Sequence, residues 1–181
     1  MARAGASPTL PTEDEVATAV AVAAGRETGD LLLRGGQVVD VFTNAVYPAD
    51  VLVAGRLVAA VGQGLTGARE VVDLDGAYVT PGLIDGHVHL ESSLVTPAAY
   101  AEVVVPRGVT AVVCDPHEIA NVAGEAGVAW LLETTAHLHL DVWVTVPSCV
   151  PSTDLETAGA EFGLPEMTRL LGHPRVVGVA E

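Results

Sequence analysis

The chain has 181 residues, half of them hydrophobic, and a formal net charge of −15. This length and apolar fraction suffice for the core of one domain or somewhat more, and they exclude wholesale disorder. The charge argues against nucleic acid and anionic membranes as partners, because both bind clustered cations and all eight basic residues are scattered Arg. Two cysteines are too few for a disulfide scaffold, and neither a membrane-length apolar run nor a signal-peptide pattern is present, so we expect a cytoplasmic protein.

The first 29 residues are predicted to form a tail and a short helix. Thr12 and Glu15 match a capping box ahead of an Ala- and Val-rich run over 16–24. Gly25 follows this run, in the position where glycine commonly ends a helix. We expect no catalytic or metal-binding residue in this helix.

Residues 30–80 are predicted to be β-rich. Short runs of β-branched and aliphatic residues are separated by turn signals such as Gly35-Gly36 and Asp75-Gly76. Strands at this spacing predict a small β-sandwich or barrel. The segment contains no His or Cys, so we expect its role to be structural.

From residue 81 onward the pattern changes to alternating strands and helices. Strands are predicted at 83–90, 109–114, 141–146 and 176–180, and helices at 98–105, 124–136 and 164–171. The alternation indicates right-handed crossovers and a parallel sheet, and therefore an α/β fold. The two middle strands are continuous apolar runs, typical of strands covered on both faces.

Polar side chains collect where these strands end. His87 and His89 are two residues apart, so on a strand they point to the same face and are good first ligands for a transition metal. Asp115 to Glu118 follow the second strand, and Glu181 follows the fourth. Because the carboxyl ends of parallel strands build the site in α/β folds, we expect these groups at one rim.

Three other histidines are predicted to lie at the opposite rim. His137 and His139 fall between the second helix and the third strand, and His173 comes just before the fourth strand. We expect these imidazoles to be exposed or helix-terminal, with no part in a site.

The motifs at the functional rim carry a family resemblance. The stretch from Thr80 to Ser93 reads TPGLIDGHVHLESS, and the stretch from Asp115 to Val122 reads DPHEIANV. Together with DVFT at 40–43 and GVAE at 178–181, they resemble the N-terminal part of the adenine deaminases, a family of metal-dependent amidohydrolases. PGLIDGHVH is shared across the superfamily, whereas HLESS with DPHEIANV is narrower. The resemblance runs from about residue 28 to the last residue.

This resemblance implies a fold and a set of site residues. Residues 81–181 would be the N-terminal half, about four strands, of a TIM-type (β/α) barrel, and residues 30–80 would belong to a composite β-sandwich domain. The metal ligands would be His87, His89 and Glu181. The catalytic residues would be Glu91, Asp115, His117 and Glu118, the last three as second-metal or substrate-shell groups.

The implied reaction converts adenine and water to hypoxanthine and ammonia. A metal-activated hydroxide would attack the purine, and a carboxylate would carry a proton to the leaving amine. The implied cofactor is manganese or iron, binuclear in the complete enzyme, although the ligand types suit zinc as well. The partner would be a purine base, and uncovered sheet edges favour a homo-oligomer.

The family also needs two further histidines and a late aspartate on strands that this chain lacks. We therefore expect an N-terminal portion of a longer enzyme that is inactive alone. Two alternatives stay open: another amidohydrolase acting on a cyclic amide or amidine, which should lack DPHEIANV, and a non-catalytic metal-binding or interaction protein. A cytidine-type zinc deaminase is set aside, because Cys149 has no second cysteine at the required spacing.

Overall fold

The computed structural model describes residues 10–153 and 155–180 and divides the chain into two units, with the boundary between Pro81 and Gly82. Residues 1–9 of the predicted N-terminal tail and Glu181 lie outside the described residues. The helices are α1 Glu13–Ala23, α2 Pro97–Val104, α3 His117–Thr134 and α4 Leu164–Leu170. The strands are β1 Gly29–Asp40, β2 Ala45–Ala54, β3 Leu57–Gly62, β4 Ala68–Asp73, β5 Tyr78–Val79, β6 Leu83–Val88, β7 Val109–Cys114, β8 Asp141–Val146 and β9 Val176–Val179. Within the described part, every helix is too short or too polar to cross a membrane.

The first unit is a mixed β-sheet covered by α1. Its strands follow the order β3-β2-β1-β4, with β5 also paired to β1. The neighbours β2 and β3 are antiparallel, whereas β4 and β5 run parallel to β1. Buried side chains of α1 pack against the sheet, among them Val22 against a cluster that contains Leu32 and Leu52. Burial of this apolar face, rather than helix propensity alone, stabilises the short helix.

The predicted start of α1 is confirmed. Thr12 Oγ1 accepts a hydrogen bond from the Glu15 amide at 3.2 Å, and the Glu15 carboxylate accepts one from the Thr12 amide at 2.8 Å. Two of the N–H groups left unpaired at the helix start are thereby satisfied.

The turn predicted at Gly35-Gly36 is wrong. Both glycines lie inside β1, where the pairing with β2 shifts register between Leu33 and Gly36. This shift is a β-bulge, which Gly35 accommodates at φ +71° while its amide donates to Asp50 Oδ1 at 2.8 Å. The chain therefore bulges and continues where the sequence pattern indicated a reversal.

The second unit is a four-stranded parallel sheet in the order β6-β7-β8-β9, which confirms the predicted α/β alternation. The buried core includes Val112 of β7, Val128 and Leu131 of α3 and Val144 of β8. Trp143 of β8 is only partly buried, so this middle strand is covered less completely on one face than its apolar run predicted.

Helix α3 begins earlier than the sequence pattern indicated. It starts at His117, with Pro116 as its N-cap residue. Gly124, predicted as the start of the helix, is a kink inside it at φ 61° and ψ −147°, a conformation open almost only to glycine. The stretch after β7 therefore places His117 and Glu118 in the first turn of a helix and not in a loop.

Candidate functional site

The two imidazoles of the His-x-His pair converge. His87 lies in β6 and His89 just past its end, and β6 carries an extra residue relative to β7 between Asp85 and Val88. Bulges of this kind redirect side chains beside functional sites. The Nε2 atoms of His87 and His89 lie 3.1 Å apart, with the rings edge to face at 77°. Both nitrogens therefore face the same small region of space.

The hydrogen bonds of His89 determine which of its nitrogens carries the proton. Its Nδ1 lies 2.8 Å from the backbone oxygen of Asp115, which can only accept, so Nδ1 is the donor and Nε2 holds the lone pair. Burial opposes the protonated imidazole, but this hydrogen bond and the charges of Glu118, Asp115 and Glu91 outweigh it, so the pKa of His89 is raised. In its neutral form the ring therefore presents the Nε2 lone pair that a metal ligand needs.

Asp115 is a fully buried carboxylate. Its Oδ2 lies 3.2 Å from His117 Nδ1, whereas Oδ1 has no hydrogen-bond partner among the described residues. A buried carboxylate oxygen without a partner is costly, which favours a cation beside it. One ligand atom each from Asp115, His87 and His89 lies within 4.8 Å of the others, close enough to bind one metal ion.

A second group of potential ligands contains His89, His117 and Glu118. Glu118 Oε2 lies 3.3 Å from His89 Nδ1 and 3.6 Å from His117 Nε2, and it makes no hydrogen bond of good geometry within the described chain. Because the lone pair of His89 is on Nε2, beside His87, the group with His87 and Asp115 is the better metal site. Glu118 instead faces the proton on His89 Nδ1.

A short 3₁₀ turn, Glu91–Ser93, contacts the start of α3. Ser92 Oγ donates to Glu118 Oε1 at 2.5 Å, and Glu91 Oε1 accepts from the Ile119 amide at 3.3 Å. Burial raises the pKa of the Glu91 carboxyl. Burial also opposes ionisation of Glu118, but hydrogen bonds, above all that from Ser92, outweigh it and lower the pKa of Glu118. Glu118 is thus the more readily ionised of the two carboxyls.

An open pocket of about 360 Å³ lies beside this cluster. One wall comes from the first turns of α3 and the other from the segment after β8. The lining residues are His117, Glu118, Asn121, Val122, Cys149, Val150, Ser152 and Glu156. The amides of Gly159 and Ala160 donate to the Asn121 carbonyl at 2.9 and 3.2 Å, so the segment after β8 is docked on α3.

Comparison with known proteins identifies the family. Residues 78–171 match the model of the Amidohydrolase family. The chain belongs to that family. It is 52% identical over 160 residues to an adenine deaminase of Deinococcus radiodurans, covering 88% of this chain and 30% of that protein. It is 47% identical over 169 residues to an adenine deaminase of Halalkalibacterium halodurans, covering 93% of this chain and 29% of that protein.

This amidohydrolase chain therefore spans about 30% of the length of the curated relatives it matches. Among solved structures, it resembles an atrazine chlorohydrolase from Arthrobacter aurescens TC1, complexed with zinc, with a TM-score of 0.60 and 17% identity. The match covers 82% of this chain and 46% of that one. At such low identity, the likeness shows a shared fold only.

The structure brings together six of the seven site residues that the sequence predicted for this amidohydrolase. Glu181, the seventh, lies outside the described residues. His137 and His139 are exposed and precede β8, and His173 precedes β9. In a parallel sheet these positions lie at the end of the strands opposite the His87 and His89 cluster.

Sequence reasoning missed several pocket residues, of which Asn121 is the most informative. The signal was present: with α3 starting at His117, helical spacing places Asn121 one turn further along the face of His117, and Val122 along that of Glu118. Placing the helix start at Gly124 concealed this spacing. Cys149 had a signal in its place just after β8, at the carboxyl end of a strand, whereas Ser152 and Glu156 had none, because the irregular segment after β8 has no period.

Proposed function

We propose that this chain forms the metal-binding side of an adenine deaminase, an enzyme that converts adenine and water to hypoxanthine and ammonia. The observation that carries this proposal is spatial. Two narrower motifs, one containing Glu91-Ser92 and the other Asp115 to Glu118, meet around His89. The hydrogen bonds that join these two parts of the chain connect residues 23 to 28 positions apart in the sequence. The identity of about 50% to adenine deaminases supports the same substrate.

His87, His89 and Asp115 would hold a divalent metal, and the unpartnered Oδ1 of Asp115 fits such a cation. Glu181 would add a further carboxylate, as the family resemblance implies. The chemistry supplied by a bound metal is a water of lowered pKa, able to act as a nucleophile near neutral pH. We favour manganese or iron, and the nitrogen and oxygen ligands also suit zinc.

Glu118 is the residue best placed to move a proton. Its carboxylate lines the pocket, its pKa is lowered, and Ser92 orients one of its oxygens. It would accept a proton from the attacking water and return it to the departing amine. His117, which also lines the pocket and is held by Asp115 through Nδ1, would orient the base.

The pocket beside α3 is the proposed site of the purine. Its volume, about 360 Å³, exceeds that of a single base, and Val122 and Val150 offer apolar surface for a flat ring. The Asn121 side-chain amide carries both a hydrogen-bond donor and an acceptor. In protein–DNA complexes an Asn amide uses these two groups to bind N7 and N6 of adenine.

We propose that the second unit is the first part of a (β/α) barrel. The strands follow one another in chain order within a parallel sheet, as barrel strands do. Apolar side chains such as Ile84 on β6 and Val179 on β9 are more than half exposed, and further strands would bury them.

The test is a chimera. The matching 160 residues of the Deinococcus radiodurans adenine deaminase are replaced by those of this chain, and ammonia release from adenine is measured with Mn²⁺ present. We expect turnover in the chimera, none from the 181-residue chain alone, and a loss of at least about 100-fold in the chimera carrying His89→Asn. A folded, metal-loaded chimera without turnover would refute the proposal.

A further inference from the structure

We propose that Glu91 is a positioning residue whose carboxylate caps the first turn of α3 and so holds Glu118 against His89. The consequence for catalysis rests on the proposed function. The capping itself does not, because it follows from contacts within this chain.

The start of α3 needs a cap from elsewhere. Its N-cap residue, Pro116, makes no side-chain capping hydrogen bond. The first N–H groups of a helix have no partner within the helix and need a hydrogen-bond acceptor from outside it. Glu91 Oε1 accepts from the amide of Ile119, the third residue of α3, at 3.3 Å. A carboxylate from a distant segment thus performs the role that Ser, Thr or Asp usually plays locally.

The second oxygen of Glu91 is also engaged. Cys114 Sγ, at the end of β7, donates to Glu91 Oε2 over 3.9 Å, a long and weak contact. One side chain thereby contacts the end of β7 and the start of α3. Glu91 is not among the residues that line the pocket in the described chain. Its contacts among the described residues are with the Ile119 amide, the Cys114 thiol and the Glu118 carboxyl.

The neighbouring residue strengthens the same junction. Ser92 Oγ donates to Glu118 Oε1 at 2.5 Å, so two consecutive residues of the 3₁₀ turn hold two consecutive residues of α3. The first turn so held carries the Glu118 carboxylate 3.3 Å from His89 Nδ1. Without the Glu91 cap this turn would fray, since terminal turns are the least stable part of a helix. His89 would then lose one of the two oxygens that face its Nδ1 proton.

The experiment separates the position of the Glu91 oxygen from its charge. In the 181-residue chain, Glu91→Gln keeps an acceptor at the same reach but removes the charge, whereas Glu91→Asp keeps the charge but withdraws the oxygens by one methylene. Amide hydrogen exchange at Ile119 and Zn²⁺ affinity are measured for both. The matched control is Glu133→Gln, an exposed side chain near the other end of α3.

We expect Glu91→Asp to speed Ile119 exchange about 5- to 10-fold and to weaken Zn²⁺ binding about 10-fold or more. Glu91→Gln and Glu133→Gln should stay within about 3-fold of the original chain in both measurements. The proposal is overturned if Glu91→Gln loses Zn²⁺ while Ile119 stays protected, because the charge would then be the functional property. It is also overturned if Glu91→Asp changes neither measurement. An inactive chimera would reject the deaminase assignment and leave these outcomes unaffected.

Discussion

Replacing Gly159 with alanine tests how the segment after β8 is held against α3. A Cβ at this position would lie 2.4 Å from the Val122 carbonyl oxygen and 3.0 Å from Val122 Cα. Both are backbone atoms of a packed helix, so they cannot yield as a flexible side chain would. The Gly159 amide also donates to the Asn121 carbonyl at 2.9 Å. The alanine must therefore push the segment away from α3 and break this hydrogen bond.

The expected cost follows from these two contacts. Overpacking costs about 2 kcal/mol, and the lost hydrogen bond costs about 1 kcal/mol. Alanine also lowers the conformational freedom of the unfolded chain, which offsets about 0.7 kcal/mol. We therefore expect Gly159→Ala to lower the free energy of unfolding by about 2 kcal/mol.

Urea unfolding followed by tryptophan fluorescence would measure this change. The two tryptophans of the chain, Trp130 and Trp143, both lie in the second unit and report on it alone. The matched control is Gly178→Ala in β9, where an added Cβ would meet nothing within 4 Å, and its effect should stay within about 0.5 kcal/mol. If Gly159→Ala unfolds at the same urea concentration as Gly178→Ala, the segment is not docked on α3 as described.

Three further predictions concern single side chains. Arg175→Met should lower the free energy of unfolding by about 1–3 kcal/mol, because the buried guanidinium donates to Thr135 Oγ1 and to the Leu132 and Val142 carbonyls. Glu15→Gln should flatten the acid dependence of the first unit's thermal melting between pH 4.5 and about 2, because the Arg56 hydrogen bond lowers the pKa of Glu15 from 4.5 to about 2. Iodoacetamide at pH 8 should label Cys149 and spare Cys114, because burial raises the Cys114 pKa to about 12.

Each of these has a result that would contradict it. Arg69→Met, which removes an exposed cation, is the control for Arg175, and equal losses in both would show that the buried hydrogen bonds contribute nothing measurable. Because the folded pKa of Glu15 lies below its ordinary value, its contribution is present above pH 4.5 and lost toward pH 2. An unchanged acid profile in Glu15→Gln would reject this linkage. Equal labelling of both thiols, read by mass spectrometry of the folded protein, would contradict the burial of Cys114.

The local sequence predicted the elements whose signals lie within a few residues. The capping box of Thr12 and Glu15 and the apolar runs of β7 and β8 led to elements that the structure contains. These signals depend on neighbouring backbone and on side-chain period, which a single sequence displays directly.

The predictions that failed depended on distant neighbours. A Gly-Gly pair permits either a turn or a bulge, and pairing with β2 decided for a bulge at Gly35. A glycine after a polar stretch permits either a helix start or a kink, and the approach of Ala160, 3.2 Å from an added Cβ, accompanies the kink at Gly124. In both cases the backbone conformation is selected by packing that sequence spacing does not reveal.

The sequence by itself determined the chemical type of this protein: an α/β amidohydrolase chain with a His-x-His pair at the end of a strand. Only the tertiary structure decided which groups meet that pair. It placed the buried Asp115 beside the two imidazoles, set the tautomer of His89 through a carbonyl 26 positions away, and engaged Glu91 with the Ile119 amide. The physical reason is that ligand chemistry is a property of residue types, whereas orientation and protonation depend on contacts that exist only after the chain has folded.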